Sequence, residues 1–316
     1  MSIKQYSEKV PKSKWLAHNY KYYTRMAETE KDFNRVFRIR YSVFHDELNE
    51  APYNEEGLDY DAFDINKCAD YVLLCVKETE EIVGLYRTIP HSKAIPELGY
   101  YYSAIEFNLD AVINDPKYSN SVSDLGRLVI LKEHRGGTQL LLLWMGLLQF
   151  CINNKVRYLL GCGSLAADIT KKDVEDLLCI LESKGMIKHK PNVFPRPPSE
   201  QRILCKKYMD KDPNPELLEK RDDLIDFNIP EKPSKNIELP FLIRRYQQVG
   251  AVLIGYPSFD GYDFGTYDLF VMIDRKTLKT WIAIFGIKAK LLADRLHKGK
   301  KKKKKIVLYP RKNKKS

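Results

Sequence analysis

The run Asp124-Leu125-Gly126-Arg127-Leu128-Val129-Ile130-Leu131 leads through Lys132-Glu133-His134-Arg135-Gly136-Gly137 into Thr138 to Asn153, and on to Tyr158 to Cys162. The first and last pieces are apolar and of strand length. The segment between them is long and leucine-rich, which predicts a helix. A strand, a glycine turn opening a helix and a second strand make a βαβ-like unit, whose helix N-terminus presents unpaired backbone N–H groups. Such a terminus favours a phosphate. The turn is not a Walker A loop, because no G-K-[ST] follows, and it does not match the G-x-G-x-x-G dinucleotide pattern. It suits the small phosphate of a pantetheine arm, with Arg135 beside it.

Upstream, Tyr71 to Val76 and Ile82 to Arg87 are two apolar runs around a glutamate-rich turn and predict an antiparallel hairpin. Phe33, Val36, Phe37 and Ile39 fall at helical spacing, which predicts an amphipathic helix from Glu28 that carries Arg35, Arg38 and Arg40. Ser42 to Ala51 continues that helix or breaks it. Pro52 to Asp64 reads as an acidic, mobile loop, and a short helix is expected around Ser103 to Leu109. Residues 1–27 read as an N-terminal extension able to pack as a short helix. Downstream, Lys171 to Lys184 and Pro240 to Val249 predict helices, Pro191 to Pro198 an irregular link, and Val252 to Gly255 and Leu269 to Asp274 the last strands. The expected organisation is an extension (1–27), one α/β domain (28–287) and a tail (288–316).

With 316 residues, 44% of them hydrophobic, the chain can fill a substantial core. No run approaches the roughly 18 apolar residues of a membrane span, and the first thirty residues lack the apolar segment of a signal peptide. A cytoplasmic location is therefore expected. Cys68, Cys75, Cys151, Cys162, Cys179 and Cys205 show no C-x-x-C pairing and no histidine at zinc-ligand spacing, so they read as reduced core thiols and no metal site is expected. Cys162 alone has small neighbours, in Gly161-Cys162-Gly163-Ser164. The net charge of +11 is uneven along the chain: fourteen Lys/Arg against Asp294 alone give +13 from Lys288 to Ser316, leaving −2 for the rest.

Asp59, Asp61 and Asp64 form D-x-D-x-x-D. Three carboxylates so close repel unless a cation lies among them, whether arginine, metal or substrate amine; the alternative is a solvated acidic loop. A calcium loop is excluded, since Asp64 stands where glycine is needed at the sixth position and Asp70 where glutamate is needed at the twelfth. Arg87 ends one apolar strand, and Asp124 and Arg127 stand three apart in another. Charges inside strand runs need partners, so these residues form a salt-bridged cleft or a structural ion-pair network.

Arg40 to Glu47 (RYSVFHDE), Asp59-x-Asp61-x-x-Asp64, Gly84-Leu85-Tyr86-Arg87, Asp124-Leu125-Gly126-Arg127 and Arg135-Gly136-Gly137 occur in the order and spacing of GNAT enzymes that use long-chain acyl donors. The chain resembles the N-acyl amino acid synthases and ornithine N-acyltransferases, and more distantly the acyl-homoserine-lactone synthases. The likeness extends to Leu143-Trp144-x-Gly146-Leu147, Gly161-Cys162-x-Ser164, Gly250-Ala251, Asp260, Phe264 and Asp268-Leu269-Phe270. Two positions depart from the pattern, with Asp124 in place of the usual glutamate and Tyr71 in place of a frequent histidine.

The resemblance implies a GNAT fold, a central mixed and largely antiparallel sheet flanked by helices. It also implies transfer of an acyl group from an acyl carrier protein thioester, or acyl-CoA, to the amine of an amino acid such as ornithine. The amine attacks directly, with no covalent enzyme intermediate and no permanently bound cofactor. On this reading a backbone N–H near Leu128 or Val129 stabilises the oxyanion. Arg135, Gly136 and Gly137 hold the phosphopantetheine phosphate. Glu47, Asp61 and Asp64 grip the ammonium and take its proton, the base among the three being open. Arg87 and Arg127 hold Asp61, Asp64 or Asp124, or pair with a substrate carboxylate. An acidic carrier protein would dock on Arg35, Arg38 and Lys132, and Leu140 to Trp144 reads as core, with a lining role for part of it in an acyl tunnel left open.

The lysine-rich tail belongs to no motif of the family and is expected to be disordered. Residues 298–315 suit a peripheral contact with anionic lipid on the inner face of the membrane. The same charge would suit nucleic acid. Two further functions are therefore open: a nucleic-acid or ribosome-associated binding protein with an inactive GNAT-like body, and a coenzyme A-dependent short-chain acetyltransferase.

Overall fold

The computed structural model describes residues 10–49, 51, 53–118, 121–209, 222–261 and 265–277. In chain order its elements are β1 (Ala17–His18), β2 (Tyr22–Met26), α1 (Glu30–Tyr41), α2 (Ala62–Ile65), β3 (Asp70–Val76), β4 (Ile82–Pro90), α3 (His91–Leu98), β5 (Phe107–Asn108) and α4 (Asp110–Ile113). They continue with β6 (Val122–Ile130), α5 (Gly137–Asn153), β7 (Tyr158–Ser164), α6 (Lys171–Ser183), β8 (Ile187–Lys188), β9 (Phe194–Pro195) and α7 (Pro198–Met209). The last are α8 (Phe241–Gln248), β10 (Val252–Ile254), β11 (Ser258–Phe259) and β12 (Tyr267–Asp274).

One sheet runs β1-β2-β3-β4-β6-β7-β12-β10-β8, with β11 paired to β12. It is antiparallel except where β6 meets β7 and β10 meets β8. This is the mixed, largely antiparallel sheet expected of a GNAT fold. The central strands read as continuous apolar runs because helices cover both faces. Along β3, Val72, Leu74 and Val76 join one core with Leu143, Leu147 and Phe150 of α5, while Tyr71, Leu73 and Cys75 join the other with Val36 and Ile39 of α1.

Several elements differ from the expectation. The segment before α1 contributes strands rather than a helix: Tyr22–Met26 pairs along β3, its aromatic residues supplying the strand propensity. Helices α3 and α7 were not foreseen. The helix expected at Ser103 to Leu109 is a 3-10 turn (Tyr102–Ala104) followed by β5, which pairs with β9 inside the link read as irregular. The loop read as mobile and solvated ends in α2, where Asp61 caps the helix by accepting from Phe63 N, while Asp64 accepts from Asp61 N. The tail, with the ordered end expected near Lys290, lies outside the described residues.

Candidate active site

The cleft is built by the strands that decide the fold. β6 and β7 run parallel only from Val122↔Tyr158 to Leu125↔Gly161. Beyond that pair they part, and Gly126, Arg127 and Leu128 on one side and Cys162, Gly163 and Ser164 on the other line a cavity of about 210 Å³. On its other edge β6 carries a bulge, because Leu85 pairs with Val129 but Arg87 with Gly126, so three steps on β6 match two on β4. The extra residue places Arg127 at φ 51°, in the left-handed region that a non-glycine residue seldom adopts. The bulge turns β6 away from β7 where the cleft opens.

Beneath the cleft three arginines and three aspartates interlock. Arg40 donates from Nε to Asp59 (2.9 Å) and from Nη1 to Asp64 (2.8 Å). Arg87 donates to Asp61 (2.5 Å), and Arg127 Nε lies 3.4 Å from Asp59. Tyr71 donates its hydroxyl to Asp64 (2.5 Å). Burial alone would raise the Asp61 and Asp59 carboxyls, but the surrounding guanidiniums outweigh it and hold both below the ordinary carboxylate value. Arg87 stacks over Tyr102, and Arg127 lies over both Tyr102 and Phe44. Both sequence readings of these charges therefore hold in part: the set is an ion-pair network, and Arg127 faces from it into the cleft.

The predicted site residues thus separate into groups. Arg127 and Leu128 line the cleft; Val129 is buried one residue beyond, opposite Leu85. Asp61, Asp64 and Arg87 lie behind its wall. Asp124 is fully buried and accepts from Ser103 N and Oγ, both at 2.7 Å; burial dominates these bonds and pushes its carboxyl up to about 7. Glu47 stands apart from the aspartates, in a two-pronged pair with Arg135 (2.5 and 2.6 Å), whose Nε also holds Ile130 O. That pair flanks the N-terminus of α5, where Gly136 has no side chain to cap the first turn. Arg35 pairs with Glu81 on the surface, and Arg38 and Lys132 are exposed.

The cleft also holds residues for which sequence reasoning found no role. Glu106, Asp260 and Asp268 line it with Cys162, and each carboxylate residue is 6% exposed or less. Burial, followed by the charges of Asp268 and Asp260, pushes the Glu106 carboxyl well above its ordinary range. A signal was present: Glu106 stands between Ile105 and Phe107, and a carboxylate buried among apolar neighbours needs a reason to be there. Tyr86 and Tyr246, also on the cleft wall, join hydroxyls at 3.0 Å. Phe264 lies outside the described residues.

The family model of the GNAT acetyltransferase domain matches residues 39–145, from the end of α1 to the middle of α5. This stretch of the chain is similar to a GNAT acetyltransferase domain. It contains the arginine–aspartate network, the bulged strand and the glycine turn. An L-ornithine Nα-acyltransferase of Agrobacterium fabrum is 29% identical over 149 residues, 45% of this chain and 50% of the relative. Another, of Rhodobacter capsulatus, is 23% identical over 265 residues, 81% of this chain and 91% of the relative. The chain thus spans half the length of the first of these relatives and most of the second. Among solved structures, the CoA-dependent acyl-homoserine lactone synthase BjaI, with SAM and isopentyl-CoA, superimposes with a TM-score of 0.45 at 14% identity, over 81% of this chain and 83% of that one. Among the described residues, no helix of the GNAT domain or its flanks is long and apolar enough to cross a membrane.

Proposed function

We propose that this protein transfers a long-chain acyl group from a phosphopantetheine thioester to the amine of an amino acid such as ornithine. The observation that carries the reading is the parting of β6 from β7 after Leu125↔Gly161, which leaves strand backbone facing a cleft of about 210 Å³. A thioester arm lying in that gap would present its carbonyl to β6 near Leu128, where a backbone N–H receives the developing oxyanion. Its phosphate would then reach the uncapped N-terminus of α5 beside Arg135.

The chemistry needs few groups. The neutral amine attacks the thioester carbon, a C–N bond forms, the C–S bond breaks and sulfur leaves as a thiolate, while the nitrogen gives up one proton that is finally delivered to that thiolate. A carboxylate or a water held by one takes that proton. Glu47, by its place beside Arg135, belongs to the donor end. Asp61 and Asp64 would meet an amine only by giving up an arginine, so their role in this reading is to hold Arg127 at the cleft wall through the shared network. Arg127 is the group for the acceptor carboxylate.

We assign acyl carrier protein as the donor, docking on the exposed basic residues Arg38 and Lys132. An acylated amino acid is amphiphilic, and a lipid-synthesis role at the inner membrane surface follows from it. The test is an incubation of the full chain with ornithine and either acyl carrier protein or coenzyme A bearing the same long acyl group. Thiol release dependent on ornithine, with an N-acyl product by mass spectrometry, supports the reading, and the faster donor identifies the carrier. No amine-dependent thiol release from either donor would sink it.

A further inference from the structure

The acidic end of the cleft has a composition that the transfer reaction itself does not require. Glu106 precedes β5, Asp260 follows β11, and Asp268 lies in β12 opposite Ser164. The donor atoms of Glu106, Cys162 and Asp268 all lie within 4.8 Å of one another. Glu106 is 2% exposed and its Oε2 has no hydrogen-bond partner, although the residue lines the cavity. A buried carboxylate oxygen left unpaired costs free energy unless a ligand supplies the missing donor. The surrounding structure fixes the site firmly. Gln201, itself fully buried, donates to Ser258 Oγ and Phe259 O and accepts from Gly261 N, which clamps the turn that carries Asp260.

We propose that Glu106, Asp260 and Asp268 form a cation subsite for the side-chain ammonium of a diamino acid acceptor, the amine that is not acylated. The inference rests on the acyl-transfer reading for its acceptor and goes beyond it in naming what selects that acceptor. Clustered carboxylates stabilise the charged form of an ammonium held among them. A nucleophilic amine must be neutral, so this environment opposes attack and suits the other nitrogen. The subsite lies beside Cys162, one step past the last β6–β7 pair, so an acceptor anchored there keeps its α-amine within the same cleft as Leu128. Hydrogen bonds to a charged group in such a site are worth about 10- to 100-fold in selectivity.

The experiment compares L-ornithine with L-norvaline, which has the same carbon skeleton without the terminal amine, using one acyl donor and the full chain. The wild type is expected to favour ornithine in kcat/KM by about 10- to 100-fold. Glu106→Gln and, separately, Asp268→Asn should bring the ratio close to one by losing activity on ornithine while keeping it on norvaline. An unchanged ratio in both variants, or equal losses on both acceptors, overturns the proposal. So does an ornithine preference that disappears with chelator and returns with a divalent cation, which would assign the cluster to a metal. Thermal unfolding of each variant confirms that it is folded. If no amine is acylated, the transfer reading fails, and calorimetry decides the subsite separately. Ornithine binding more tightly than norvaline, with the difference lost in the variants, supports it, and equal binding overturns it.

Discussion

Arg87 and Asp61 meet at 2.5 Å with side chains 0% and 5% exposed, so each charge is compensated inside the protein rather than by water. Removing one partner from such a pair strands the other in a dry site, at a cost of about 3–5 kcal/mol. Arg87→Met is therefore expected to lose about that much stability in urea unfolding, since Asp61 keeps only the more distant Arg40 at 4.0 Å, and Asp61→Asn to lose less, because Arg87 keeps Asp64 at 3.6 Å. The double variant should fall short of the sum of the single losses. A loss below 1 kcal/mol in Arg87→Met would show that water reaches the pair.

The same burial gives the protein two opposed pH dependences. Asp59 and Asp61 are held below the ordinary carboxylate value, and Asp32, forked by Arg25, is brought to about 2. Their stabilisation is present above the unfolded value near 4 and is lost as pH falls through the lowered folded values. Asp124 has the reverse sign, since burial raises it to about 7. Its contribution is full below pH 4 and is lost as pH rises to 7, by roughly 4 kcal/mol at about 1.36 kcal/mol per unit. Asp124→Asn keeps the shape and can still accept from Ser103 N. Its stability relative to wild type should rise between pH 4 and 7 and level off above 7, measured by unfolding at each pH. A flat difference would place the ionised form of Asp124 in a better-solvated setting than its burial implies.

Much of the sheet was legible because strands covered on both faces give apolar runs, as in Tyr71 to Val76 and Leu128 to Leu131. The arginines and aspartates stood out because charges within those runs need partners. Which arginine meets which aspartate was not legible, since Arg40, Arg87 and Arg127 come from α1, β4 and β6 and only the sheet order brings them together. The cluster of Glu106, Asp260 and Asp268 was hidden for the same reason. Glu106 stands out among apolar neighbours and Asp260 and Asp268 belong to the family likeness, but that the three share one site shows only once β12 is placed beside β7. Strands β1 and β2 were missed because they are short, 2 and 5 residues, and the polar residues around them give no sustained apolar run.

Gly146 shows how packing reverses a helix propensity. At an open helical site Gly→Ala stabilises by about 0.8–1 kcal/mol. In α5 the added Cβ would stand 2.6 Å from Thr24 Oγ1 and 2.8 Å from Val72 Cγ1. Thr24 cannot swing aside freely, because its hydroxyl accepts from Ala17 N and tethers β1 to β2. Overpacking of this kind costs about 1–3 kcal/mol, so Gly146→Ala is expected to destabilise despite its better propensity. An increase in the thermal midpoint of Gly146→Ala would mean that α5 can lift from the sheet without penalty.

Arg135 offers a way to separate donor binding from chemistry in the proposed reaction. Its guanidinium is committed to Glu47 and to Ile130 O, beside the N-terminus of α5. If the donor phosphate lies at that N-terminus, Arg135→Ala removes a binding contact that is the same in the ground and transition states. It should raise the donor KM by roughly 10-fold with kcat nearly unchanged, since uniform binding affects KM alone. Glu47→Gln should act weakly in the opposite direction, because Arg135 would lose a competing carboxylate and could turn to the phosphate. Steady-state kinetics with varied acyl donor at saturating amine measure both effects. A fall in kcat with KM unchanged in Arg135→Ala would move this residue from the donor arm to the reacting centre, and the thioester would then have to enter the gap between β6 and β7 from its other end.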